Sequence, residues 1–135
     1  MAKPILCLDF DGVIHRYDSP WAGACVIKDR VTEGFFKWAE EAAKHFRLVV
    51  YSSRSKEVGA ADAMLRWLGD EYARETWPAG DQPTTFWLPF EIEFAYEKPA
   101  AFLTIDDRGM TFMGSWTLPS ISPESLLRFK PWNKS

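Results

Sequence analysis

Ile5-Leu6-Cys7-Leu8-Asp9-Phe10-Asp11-Gly12 is an apolar run that stops on two acids and a glycine. Far along the chain Phe102-Leu103-Thr104-Ile105-Asp106-Asp107-Arg108-Gly109 repeats the design. Short apolar runs bounded by turn residues read as buried strands. In open α/β sheets ligands gather outside the carboxyl ends of the strands. The two runs therefore deliver Asp9, Asp11, Asp106 and Asp107 to that edge. Carboxylates gathered in one place repel one another unless a cation joins them. All-oxygen ligands suit a hard divalent cation, and Mg²⁺ is the one expected.

Outward from these runs the pattern alternates. Thr32 is a reasonable N-cap for a helix whose apolar face carries Phe35, Phe36, Trp38, Ala39, Ala42 and Phe46. Leu48-Val49-Val50-Tyr51 reads as a second strand. A second helix is predicted over Glu57 to Arg74, with Val58, Ala61, Leu65, Leu68 and Tyr72 on one face. The loop from Val13 to Arg30 has hairpin character. Positions 78 to 83 form a turn-rich break, and the next strand is either 86–88 or 92–96. Ala101 to Ile105 is a further strand, and Pro123 to Phe129 a short helix. Continuous apolar strands between amphipathic helices predict a parallel sheet covered on both faces.

Bulk composition narrows the function. A chain of 135 residues is one ordinary domain, 1–135, with 47% apolar and 26% charged residues, as in a soluble globular protein. A net charge of −3 leaves no basic excess for bulk binding to nucleic acid, although a local basic groove remains open. Seven Trp and ten Phe are many for this length, so some are expected at the surface or in a partner site. Cys7 and Cys25 form neither a disulfide framework nor a metal spacing. There is no signal-peptide pattern and no run of membrane length, so a cytoplasmic location with no membrane partner is expected.

Asp9 and Asp11 lie two apart, so both can face one small volume beyond the strand end. Gly12 permits the sharp turn such a corner needs. Taken singly, D-x-D-G is also what a solvated turn looks like. Ser52-Ser53-Arg54-Ser55-Lys56 follows strand two, and hydroxyls, N–H groups and cations suit a phosphate. Capping of the second helix by Ser53 or Ser55 is the plainer alternative. Lys98 precedes the strand bearing the second acid pair, where it can neutralise charge or stand exposed. His15, His45, Trp21, Trp116 and Trp132 read first as packing or surface residues.

Together, Asp9-Phe10-Asp11-Gly12-Val13, Ser52 after a strand, Lys98, and Asp106-Asp107 after a strand resemble the haloacid dehalogenase superfamily of Mg²⁺-dependent phosphohydrolases. The likeness runs from strand one to Arg108. Tyr51-Ser52-Ser53-Arg54 and Glu97-Lys98-Pro99 look like a branch of small bacterial and phage members. The resemblance implies a Rossmann-like three-layer sandwich with a central parallel sheet. It implies Asp9 as nucleophile and metal ligand, and Asp11 as general acid/base that binds the metal through its carbonyl. Ser52 would bond the phosphoryl group, with Gly12, Ser53 and Arg54 beside the phosphate. Lys98 would hold its charge, and Asp106 and Asp107 would complete the Mg²⁺ site.

The gaps 13–30 and 57–96 are too short for the cap domain of larger relatives, so the site is expected to be capless and open. That suits a large phosphorylated substrate, with a nucleotide or a nucleic-acid 3′-phosphate end as the narrower expectation and Arg54, Lys56, Arg108 and Trp21 as contacts. The competing readings are a low-turnover binding module with an acidic Mg²⁺ pocket, and a phosphotransferase. Oligomeric state is open.

Overall fold

The computed structural model describes residues 2–77 and 88–134. The break expected at 78–83, and all but Leu88 of the alternative strand at 86–88, lie outside them. Along the described chain the elements are β1 (Ile5–Leu8), α1 (Phe35–Ala42), β2 (Arg47–Val50), α2 (Ala60–Thr76), β3 (Glu93–Phe94), β4 (Leu103–Ile105), a 3₁₀ turn (Pro119–Ile121) and α3 (Pro123–Leu127).

The four strands form one all-parallel sheet in the order β3-β2-β1-β4. Leu6 lies beside Leu48 and Leu103, and Leu8 beside Val50 and Ile105. Residues two apart share a face, so Leu6, Leu8, Leu48 and Val50 form one side of the sheet. They join Phe35, Phe36, Ala39 and Ala42 of α1 and Met64 and Leu68 of α2 in a single core cluster. Both helices therefore cover the same face, as right-handed crossovers stepping twice in one direction require. Each large apolar side chain buried there contributes about 1.5–3 kcal/mol.

From β1 the chain steps to β2 on one side and returns to β4 on the other. The strand order thus reverses between β1 and β4, which opens a crevice at their carboxyl ends. This is where the two acid pairs emerge.

Several expectations need correction. β4 is an edge strand and is exposed, with Leu103 at 54% and Ile105 at 36%. An apolar run specifies extended chain but not a cover for it. Trp38 is likewise exposed rather than in the core, and Phe46 lies beyond the end of α1. The buried stripe of α2 is Ala60, Met64 and Leu68, while Val58 is 98% exposed and precedes the helix. The period holds and the phase shifts, because Met64 fills the space over the sheet. Neither helix has a side-chain N-cap: each starts after a glycine, Gly34 and Gly59. Thr32 Oγ1 instead donates to the Val13 carbonyl, at 2.7 Å.

The 13–30 loop does have hairpin character at its base. Arg16 N–H donates to the Arg30 carbonyl and Thr32 N–H to that of Ile14, an antiparallel bridge around His15 and Val31. Among the described residues no helix is long and apolar enough to cross a membrane.

Candidate metal and phosphate site

Asp9 and Asp106 each follow directly on a strand whose last residues, Leu8 and Ile105, are paired. The ladder continues one step further, Asp9 N–H donating to the Ile105 carbonyl at 3.0 Å. Register alone therefore sets these two acids side by side. Ligand oxygens of Asp9, Asp106 and Asp107 all lie within 4.8 Å of one another. Asp9 Oδ1 accepts from the Phe10 N–H at 2.8 Å, and Asp106 Oδ1 from the Arg108 N–H at 2.8 Å.

Gly12 closes the corner. Its φ is +82°, and a Cβ placed there would overlap the Asp107 carboxylate. Only glycine gives both the left-handed turn and the room for that acid.

The charges are crowded. Burial, then the neighbouring Asp106 and Asp107, push the Asp9 carboxyl up to about 7. Burial likewise raises Asp107, with Asp106 adding to the effect. Three hard oxygen donors of this kind fit a Mg²⁺ ion, whose charge would hold all three ionised.

Asp11 belongs to a different network. Its Oδ1 accepts from His15 Nδ1 at 2.9 Å and its Oδ2 from Arg54 Nε at 2.8 Å. Because His15 Nε2 accepts from the Asp29 N–H, Nδ1 is the ring atom that carries the proton. Burial works against a charge on Asp11, but the hydrogen bonds from His15 and Arg54 outweigh it and hold the carboxyl below its ordinary range. Its carboxylate therefore stands apart from the three-acid cluster.

Arg54 is 1% exposed, and its Nη1 donates to the carbonyls of Gly23, Ala24 and Val26, each at 3.0 Å. Its guanidinium lies over the Trp21 ring, 4.5 Å from the centroid. Where a phosphate ligand is expected, the structure shows Arg54 as a buried clamp on the 13–30 loop. Ser52 is buried, its hydroxyl accepting from the Arg54 N–H and its own N–H donating to Ser55 Oγ. Ser53 is exposed at the head of this turn. Lys98 is exposed; burial pushes the Cys7 thiol up, and the charge of Lys98 opposes that shift without reversing it.

No protein family, curated protein or solved structure is found to match the chain.

The acid crowding has a thermal consequence. Asp9 titrates above its ordinary 3.8 in the folded state, so the folded protein binds the extra proton between these values. Stability present below pH 3.8 is then lost as pH rises through about 7. Asp107 acts with the same sign; Asp11 and Asp29, being lowered, act with the opposite sign, and their contribution is complete once pH is well above the ordinary 3.8. In chelator the melting temperature is expected to fall between about pH 5 and 7, above the range in which the lowered carboxyls titrate in the unfolded chain, and saturating Mg²⁺ to remove the fall. A flat or rising profile in chelator contradicts the crowding.

Proposed function

We propose that the protein is a Mg²⁺-dependent phosphohydrolase of haloacid dehalogenase type, with a capless Rossmann-like fold and an aspartyl-phosphate intermediate on Asp9. The observation that carries this reading is the convergence of Asp9, Asp106 and Asp107 at the β1/β4 reversal point. Asp9, Asp106 and Asp107 would hold the ion, which supplies charge neutralisation for the nucleophile and the phosphoryl oxygens.

Asp9 attacks phosphorus and the ester oxygen departs. Water then attacks the phosphorus of the acyl phosphate, Asp11 takes its proton, and phosphate leaves with Asp9 restored. His15 and Arg54 orient Asp11 for this second step. Lys98 is the cation at hand for the phosphoryl charge, and the N–H groups of the Asp9–Gly12 corner and exposed Ser53 complete the cradle. Ser52 reaches a phosphate only at the expense of its hydrogen bond from Arg54.

The ion pair with Arg54 also makes Asp11 a poor proton donor. Leaving groups that depart without a proton should then be favoured, since a lost general acid is worth roughly 10²–10⁴ in rate. Phosphate release from a panel is the test, with Mg²⁺ and with chelator: aryl phosphate, sugar phosphates, nucleotides, a phosphopeptide and a 3′-phosphorylated oligonucleotide. Mg²⁺-dependent release is expected, with the aryl ester about 100-fold faster than an alkyl ester that offers no further contacts. A nucleotide or oligonucleotide that outruns the aryl ester would identify the substrate class. Mg²⁺ binding without release from any compound overturns the enzymatic reading in favour of a binding module.

A further inference from the structure

The C-terminal arm leaves the site and comes back to it. It departs at Asp107 and ends with Trp132, Asn133 and Lys134 lying along the loop Gly12–Tyr17. Trp132 Nε1 donates to the Gly12 carbonyl at 2.6 Å, and Asn133 Nδ2 to the Arg16 carbonyl at 2.8 Å. Two cations alternate with these bonds. The Arg16 guanidinium lies 5.9 Å from the Trp132 ring centroid, and the Lys134 ammonium 5.4 Å from that of Tyr17. Most of the arm is exposed, so burial in a core does not account for this seat.

The position of the Trp132 bond matters more than its strength. An indole N–H has one hydrogen bond to give. Here it goes to the turn on which the acid cluster rests. The Gly12 N–H donates to the His15 carbonyl at 2.7 Å, so Trp132 fixes the second polar group of a residue already fixed at the first. The Asp107 carboxylate packs directly against Gly12. A shift of this turn moves the wall behind the Asp107 carboxylate.

We infer that Trp132 is a positioning residue of the site, and the arm a strap that holds Gly12 and so sets the distance of Asp107 from Asp9 and Asp106. The inference rests on the cation-site reading above. Partners that orient metal ligands are worth 10- to 100-fold in metal affinity.

The probe is Mn²⁺, titrated by its paramagnetic signal into the wild type, Trp132→Phe, Trp132→His, Asn133→Ala and Asp9→Asn, with melting temperatures taken in chelator. Trp132 is more than half exposed, so Trp132→Phe keeps an aromatic ring, loses the N–H and gives up little buried packing. About tenfold weaker Mn²⁺ binding is expected for it, with melting little changed. Trp132→His, which restores a ring N–H, recovers part of the affinity. Asn133→Ala, which cuts the strap away from the turn, has a smaller effect. Wild-type Mn²⁺ affinity in Trp132→Phe overturns the strap while leaving the site intact, provided Asp9→Asn has lost binding. Equal losses of affinity and melting temperature in Trp132→Phe and Asn133→Ala overturn it as well, since they describe a merely structural anchor. A wild type that binds no Mn²⁺ removes the site reading and the strap together.

Discussion

Asp9→Asn is expected to lower phosphate release by a factor of roughly 10⁴ or more while the protein stays folded. The amide is nearly isosteric with the acid but cannot form the acyl phosphate, so the two-step route closes. The fold is spared because Asp9 contributes repulsion rather than cohesion. It sits at a crowded corner with Asp106 and Asp107, and its carboxyl is pushed up to about 7 by burial and by those neighbours. Removing the charge relieves the corner. In chelator above neutral pH, Asp9→Asn should therefore melt above the wild type. Lost activity together with lost folding would show that Asp9 is structural.

Arg54→Met carries the largest expected effect on stability, a loss of about 3–5 kcal/mol. The side chain is fully buried, and its loss would leave Asp11 without its cation. The carbonyls of Gly23, Ala24 and Val26 would also lose their common donor, and the base of the 13–30 loop would lose its clamp. Removing one member of a buried pair costs more than removing both. The double variant Arg54→Met with Asp11→Asn should accordingly regain part of the loss. Denaturant midpoints of the three proteins decide this. A change in Arg54→Met of less than about 1 kcal/mol, the range of a surface pair, would contradict the clamp.

The sequence made the site legible where chemistry and strand register coincide. Apolar runs ending in acids mark strand ends, and parallel pairing of those runs brings Asp9, Asp106 and Asp107 together without further information. The sheet, its parallel sense and the two principal helices follow from the same alternation. What stayed hidden depends on which partner a side chain chooses. Arg54 beside Ser52 and Ser53 looks like a phosphate cation, yet it finds Asp11 and three loop carbonyls instead. His15 carries no periodic signal, although it lies four residues after the acid it orients. Trp132 stands 120 positions from Gly12, beyond any local pattern. The exposure of β4 was equally illegible, because an apolar strand reads the same with or without a cover.

The most direct measurement is mass analysis of the protein quenched in acid during turnover of an aryl phosphate with Mg²⁺. An acyl phosphate survives acid, so the proposed route predicts a peptide containing Asp9 that is heavier by one phosphoryl group. That peptide should be absent in chelator and in Asp9→Asn. Mg²⁺-dependent phosphate release with no modified peptide at any quench time, or with the modification on another residue, would contradict Asp9 as the nucleophile.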